Sequence, residues 1–389
     1  MLPENFTSIA LLGDESSKVD SLLRFILGKD IEKNDFIESD VRNLIYNFQI
    51  KSKRFTVQKI NIQALPEESI KVYNNSNILI TYFTLQETQQ FDTDIKNQIL
   101  MANTFGVKNV IVILDSSNIN LKDTSKFIKT RTKIQELFTN RNFNINNIQI
   151  IDSVQSNDQL KEKLVSILVP DKKKERSKGK KIEKKKSLLL SISNVFKVDK
   201  NHLGINGKII SGELNVENDI HILPLNQKFK VLEIQKMHKT IKTAYVGDDI
   251  GFLVKTKNNL ITEGMIVTNN LDSVKQTRNV QIQIINLNGM LISLDKTYTL
   301  LCHNVETLAT INNIVLSKKQ GKETTKINVN SLVLGEKGLL NVSFREPIIM
   351  APYNNSNEIA NKHLSSVAIL HNTTRELIGI GIVKSVKYK

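Results

Sequence analysis

Gly13-Asp14-Glu15-Ser16-Ser17-Lys18-Val19-Asp20 places a glycine and a lysine near the spacing of a phosphate-binding loop, G-x-x-x-x-G-K-[ST]. Such a loop works because glycines let backbone N–H groups close on phosphates, the lysine neutralises them, and the hydroxyl holds a magnesium ion. Here the loop is one residue short, Ser17 stands for the second glycine, and Val19 replaces the magnesium ligand. Asp14, Glu15 and Asp20 add three carboxylates where phosphates would bring charge of the same sign. At an effective dielectric near 20, a like-charge contact at ~4 Å costs roughly 4 kcal/mol before screening, more than Lys18 alone offsets. No G-K-[ST] occurs anywhere in the chain.

Other reactive groups form no constellation. The histidines, His202, His221, His238, His303, His363 and His371, show neither H-E-x-x-H nor another paired metal spacing and read as structural or surface residues. A single cysteine, Cys302, permits no intrachain disulfide and no four-cysteine zinc site, and reads as a small hydrophobe in a strand. No G-x-S-x-G elbow supports serine hydrolysis. Phe91-Asp-Thr-Asp94 could suggest acid–base or metal work, but an exposed helix start explains it better. No metal is expected.

The elements that must position these residues fall into two patterns. Before residue 170, strands alternate with helical segments: Ser8–Leu12, Lys18–Leu27, Phe55–Ile62, Ile78–Phe83, Phe91–Thr104, Asn109–Leu114, Thr124–Phe138, Ile148–Ile151 and Gln159–Leu168. This predicts a mostly parallel sheet wrapped by helices, with ligands at the carboxyl ends of its strands. After residue 186, short β-branched runs recur between turn signals: Gly207–Ile210, Ile220–Leu223, Lys230–Ile234, Ile250–Val254, Val280–Ile285, Tyr298–Leu301, Leu339–Phe344 and Ile378–Val386. About 200 residues of this kind suffice for two all-β barrels. Between the two lies Asp171–Lys186, with ten Lys and Arg against three acids, which reads as a solvated linker. Its Lys172, Lys173, Lys174, Arg176, Lys178, Lys180, Lys181, Lys184, Lys185 and Lys186 are the candidate RNA-phosphate contacts; a solubilising tether is the plainer alternative.

The expected domains are therefore 1–170, the linker 171–186, a first barrel 187–273 and a second barrel 274–389. A length of 389 residues fits two to three such domains. Lys and Arg number 54 against 39 Asp and Glu, a net charge of +15 that attracts polyanions. Richness in Lys, Asn and Ile is what AT-rich codons alone could give, so the position of the charges says more than their sum. No apolar run approaches the ~20 residues of a membrane span, and Met1–Ala10 lacks a secretion signal, so a reducing, cytoplasmic setting with no membrane partner is expected.

Specific residues carry a family resemblance. Glu233-Ile-Gln-Lys-Met-His238 with Ala244-Tyr-Val-Gly247-Asp248-Asp249-Ile250-Gly251-Phe252 resembles the second domain of eukaryotic elongation factor one-alpha and its relatives. Gly207-Lys-Ile-Ile-Ser-Gly212 with Leu214 is similar to that domain's G-[KR]-[IV]-x-[ST]-G turn, and Glu263-Gly264 to its closing turn. Leu301-Cys302-His303, Leu334-Gly335-Glu336, Glu346-Pro347-Ile348 and Ile378-Gly-Ile-Gly381-Ile-Val-Lys384 follow in the family's order. Gly106-Val107-Lys108-Asn109-Val110-Ile111-Val112 resembles a strand entry of the first domain. The chain thus resembles the translational GTPases over nearly its whole length, and Ser191-Ile192-Ser193-Asn194-Val195-Phe196-Lys197 most resembles the Pelota-partner ribosome-rescue GTPase or its exosome-adaptor relative.

The resemblance implies a P-loop-like G domain followed by two barrels, and shows where its chemistry is missing. D-x-x-G, the γ-phosphate sensor, is absent, because none of Gly13, Gly28 and Gly106 has an Asp three residues earlier. The family reads guanine with N-K-x-D; Asp115-Ser116-Ser117-Asn118 has no lysine and puts Asn118 where the carboxylate belongs. Ser153 survives from the base-stacking loop. No histidine precedes His202 to position an attacking water, so hydrolysis by the family's mechanism is excluded. Gly13, Lys18 and Ser153 leave GTP binding without turnover open. About 25 residues stand where the family carries a long switch loop before Phe55, which suggests a domain held in one state. His303 matches a position near the family's tRNA-facing side, with a structural role as the alternative.

The function these residues imply is a catalytically inactive factor that binds ribosomes, at the factor-binding site, and ribosomal RNA, as an adaptor or idle-ribosome factor, with a Pelota-like or release-factor-like tRNA mimic as a candidate passenger. Competing readings are a divergent active GTPase of elongation, termination or rescue, and an adaptor to the RNA-decay exosome. The second is disfavoured because the chain starts twelve residues before Gly13, without the long extension of adaptor relatives.

Overall fold

Five consecutive apolar residues, Val110–Leu114, are all buried, which requires a strand covered on both faces. They belong to the first sheet of the protein, whose computed structural model describes residues 6–13, 36–38, 44–50, 53–60, 65–84, 91–115, 124–152, 163–164, 166–168, 186–236, 239–256, 260–319, 325–353 and 359–388. Two compact units emerge, Met1–Ala64 with Glu68–Ile182, and Leu65–Glu67 with Glu183–Lys389.

In the first unit the elements run β1 (Phe6–Gly13), β2 (Phe36–Glu38), β3 (Leu44–Ile50), β4 (Lys53–Ile60), α1 (Pro66–Asn75), β5 (Ile78–Thr84), α2 (Thr93–Thr104), β6 (Asn109–Asp115), α3 (Thr124–Thr139) and β7 (Ile148–Asp152). Their sheet order is β2-β3-β4-β1-β5-β6-β7. β4, β1, β5, β6 and β7 are parallel, while β3 and β2 extend the edge antiparallel. The expected parallel sheet with helices is present. The segment before Phe55, expected as a shortened switch loop, instead contributes β2 and β3. The expected helix Lys18–Leu27 lies outside the described residues, and of Gln159–Leu168 only 163–164 and 166–168 are described, all helical.

Ile9, Leu11, Phe55, Val57, Ile78, Ile80, Ile111 and Ile113 form one core face with Leu164 and Leu168. Tyr73 of α1 is fully buried and donates to Gln98 Oε1 of α2 at 2.9 Å, and Gln98 Nε2 donates to Ser69 Oγ at 3.2 Å. Asp92 caps α2, so Phe91–Asp94 is the helix start expected of it.

The second unit holds β8 (Leu189–Lys197), β9 (His202–Ser211), β10 (Glu213–Asn215), β11 (Asp219–Leu223), β12 (Gln227–Lys236), β13 (Lys239–Ile241), β14 (Thr243–Tyr245), β15 (Asp249–Lys255) and β16 (Ile266–Thr268). After a 3₁₀ turn at Leu271–Ser273 come β17 (Gln276–Asn286), β18 (Ile292–Ser293), β19 (Thr297–Cys302), β20 (Val305–Lys319), β21 (Thr325–Val329), β22 (Ser331–Leu332), β23 (Glu336–Ile349), α4 (Ile359–Ser365), β24 (Ser366–Leu370) and β25 (Leu377–Tyr388). The order β11-β16-β8-β9-β15-β12 closes through β11–β12, and β19-β24-β25-β17-β23-β20 closes through β19–β20. Each is a six-stranded antiparallel barrel around its own apolar core. β21 hangs on β20 as an edge strand carrying exposed Lys326 and Ile327, the latter 74% accessible.

The turns explain why the barrel motifs have the residues they do. Gly212, Gly247, Gly264 and Gly335 all have positive φ, between +70° and +90°. At Gly212 a Cβ would also lie within 2.8 Å of Leu188 and Lys186 backbone atoms. Asp248, almost fully buried, accepts from Lys236 Nζ at 2.6 Å and from the Tyr245 amide at 3.0 Å, which fixes the turn into β15.

Candidate functional site

Two regions have the geometry of a binding site, one in each unit. In the first sheet the chain returns across β1 between β4 and β5, so the crevice for a ligand lies at the carboxyl end of β1, at Gly13. Register places Tyr82 beside Gly13, and Tyr82 also pairs with Ile113, two residues before Asp115. The Tyr82 hydroxyl donates to Asp115 Oδ2 across that edge. Asp115 is therefore held by a neighbouring side chain. Asp152 ends β7 opposite Leu114 and adds a second carboxylate to the carboxyl edge.

Of the residues singled out in the sequence, Gly13 and Asp115 lie at this edge. Lys18, Ser17, Val19, Asn118 and Ser153 lie outside the described residues, as do Lys172, Lys173, Lys174, Arg176, Lys178, Lys180, Lys181, Lys184 and Lys185. Lys186 is described and exposed, three residues before β8. Among the described residues no three His, Cys, Asp or Glu stand together as metal ligands. No described helix is long and apolar enough to cross a membrane.

The second region is a groove of about 440 Å³ on the outer face of the first barrel. Outward positions of four neighbouring strands form it: Phe196 of β8, Gly204 and Asn206 of β9, Gly251 of β15, and Glu233 and Gln235 of β12. The Phe196 ring lies on Gly204, where a Cβ would come within 2.3 Å of it, and the ring is still 45% exposed. Glycines on one sheet face mark a close approach. Glu233 accepts from Gln235 Nε2 at 2.7 Å and Thr240 Oγ1 at 3.0 Å, and these bonds hold its carboxyl below the usual range. A fixed carboxylate beside an open aromatic face suits a small cationic group. The family motifs contain Phe196, Glu233, Gln235 and Gly251 but not Gly204 or Asn206, and the sequence assigns them no groove; Phe196 and the strand glycines are the available signal.

Cys302 is buried in β19, and burial pushes its thiol up to about 12. His303 is buried between the barrels, 3% exposed, with Nε2 3.2 Å from the Ile349 carbonyl oxygen. The structural alternative for it is the one observed.

No family model matches the chain. Among solved structures, translation elongation factor SelB from Methanococcus maripaludis, in complex with the GTP analogue GppNHp, superposes with a TM-score of 0.66 at 15% identity, covering 100% of this chain and 80% of that one. The chain has the fold of a translation elongation factor. The apo form of the same SelB gives 0.63 at 14% identity, covering 100% of this chain and 81% of that one. A bacterial selenocysteine-specific elongation factor, EF-Sec, gives 0.64 at 14% identity over 97% of this chain and 58% of that one. In sequence, sulfate adenylyltransferase subunit 1 of Buchnera aphidicola subsp. Acyrthosiphon pisum strain 5A is 25% identical over 181 residues, and strain APS gives the same match. That stretch covers 46% of this chain and 37% of the relatives' length. The elongation-factor fold expected from the barrel motifs, an α/β domain followed by two barrels, is thus the fold observed.

Proposed function

We propose that this elongation-factor fold serves as a catalytically inactive factor that binds ribosomes, as an adaptor or idle-ribosome factor, without turning over GTP. One observation carries the reading: SelB, of the same fold, is in complex with a GTP analogue, whereas at the carboxyl edge of this chain's sheet Asp115 is engaged by Tyr82 and the sequence after Gly13 has three carboxylates and no G-K-[ST]. Electrostatics there oppose a triphosphate. The barrels, by contrast, keep the turn geometry of a binding platform, and the lysine-rich run Asp171–Lys186 supplies charge for ribosomal RNA phosphates. Ordinary translation factors leave the ribosome when hydrolysis collapses their switches, so a factor without that step dwells until displaced. A tRNA mimic of the Pelota or release-factor type is the passenger this platform would accept, and the cytoplasm is where it would act.

Sedimentation of native cell extract at low and high salt, with mass spectrometry of the co-migrating species, tests the proposal. Migration with ribosomal particles at low salt and release at high salt is expected. A protein that stays at the top of the low-salt gradient overturns the ribosome reading. Ribosome-stimulated GTP turnover by the purified chain would make it a divergent active GTPase, and co-purification of exosome subunits in place of ribosomes would make it a decay adaptor.

A further inference from the structure

The two barrels meet through a joint in which basic groups are buried. Along β9, Leu203, Ile205 and Ile209 line the first barrel's core, so Lys208 and Ile210 face outward. Lys208 is nevertheless only 5% exposed, because the second barrel covers it. Leu189, Ile210, Leu223 and Ile266 of the first barrel pack there against Val274, Ile349 and Leu364. Asn304 Nδ2 donates across the joint to Ser191 Oγ at 3.1 Å and to the Ile192 carbonyl at 3.3 Å.

Two histidines sit in the same joint. The rings of His303 and His363 are stacked, with centroids 6.0 Å apart and planes 25° apart. Both residues are 5% exposed or less, and His363 Nε2 is buried without a hydrogen-bond partner. The charge of Lys208 on β9 acts on His363, Asp249 of β15 acts on Lys208, and Lys362 adjoins His363 on α4. Asp248, at the neighbouring turn, is engaged by Lys236. The joint therefore buries Lys208, His303 and His363, with Asp249 opposite Lys208 across the strand pair.

We propose that this joint is a proton-operated coupling, closed while His303 and His363 are neutral and opened when acid protonates them. Asp249 stands opposite Lys208 across the β9–β15 pair and offsets its charge, so protonation of the imidazoles would place one or two further cations where water is excluded, a cost relieved when the barrels part and the imidazoles hydrate. Each barrel has its own apolar core, so parting does not require either to unfold. Burial lowers His303 from 6.5 to about 4, and burial, His303 and Lys208 lower His363. The open state binds more protons below 6.5, so closure is fully favoured above that pH and is lost as pH falls toward about 4. For His303 the open-to-closed ratio rises roughly tenfold per pH unit over that window, about 300-fold in all, and His363 acts in the same direction.

Spin labels on Lys228→Cys in the first barrel and Thr325→Cys in the second, both exposed positions, report the joint in the full chain. Buried Cys302 is out of a label's reach. A single distance is expected near pH 7.5, with a longer population near pH 5 and an unchanged far-ultraviolet β signal. His303→Asn with His363→Phe should keep the single distance near pH 5, Asn being suited to the positive φ of 39° at position 303. Should that variant not fold, Lys208→Met supplies the test, because removing the cation should shrink the long population at the same pH. An unchanged wild-type distance, a change that accompanies loss of the β signal, or variants that open as far as wild type would each overturn the proposal.

Discussion

The carboxyl edge of the first sheet and the turns of the two barrels differ in what their residues do. In the barrels, the residues that resemble translation factors have geometric work: Gly212, Gly247, Gly264 and Gly335 occupy left-handed turns, and Asp248 ties one of them. At the sheet edge, the residues a nucleotide would need have ligand work, and there the sequence departs from the pattern. Residues that shape the backbone answer to the fold itself, whereas residues that hold a ligand answer only to the ligand. A chain can therefore superpose on SelB at 15% identity while the sequence at its sheet edge departs from the phosphate-loop pattern.

Substitutions can break or sharpen that contrast. The largest effect is expected at Gly381, where a Cβ would lie 2.0 Å from the Gln283 carbonyl oxygen in the neighbouring strand. Gly381→Ala should cost more than about 4 kcal/mol in urea unfolding; a loss under about 1 kcal/mol would mean the barrel is not locked by shape. Asp248→Ala strands the half-buried Lys236 ammonium and a backbone amide, and should cost about 2–3 kcal/mol by the same measurement. At the sheet edge Tyr82→Phe removes one hydrogen bond to a carboxylate, worth about 1–2 kcal/mol, and calorimetry should find no GTP binding before or after. Appearance of tight GTP binding in that variant would show that the Tyr82–Asp115 contact, not the carboxylates after Gly13, keeps GTP out. Smallest of all, Lys228→Ala, which breaks an exposed pair with Asp219, should leave the unfolding midpoint where it was.

The fold was largely legible because alternating strand and helix patterns and barrel turn residues are local signals. β20 was not, although it spans 15 residues. Register shifts between Ile311 and Asn313 and between Ile314 and Leu316 break its alternation, so no period of two survives for a reader of the sequence. Helix α1 was missed because its ten residues offer only Ile70, Val72 and Tyr73 as an apolar face. The sheet-edge site was legible as a set of absences. A positive feature among the described residues, the Tyr82–Asp115 bond, joins residues 33 apart that the parallel register brings together. The groove around Phe196 escaped for a similar reason, since it draws its lining from four strands.

Among the described residues, strand β21 leaves one row of backbone groups without a neighbouring strand, the kind of surface on which copies of a protein stack into fibrils. Lys326 is paired with Glu336 at 3.7 Å, but exposed Lys318 and Lys319 on the adjoining strand guard that row by repelling the same lysines of another copy, so colloidal stability of the protein should be greatest in dilute buffer and should decline as added ions mask them.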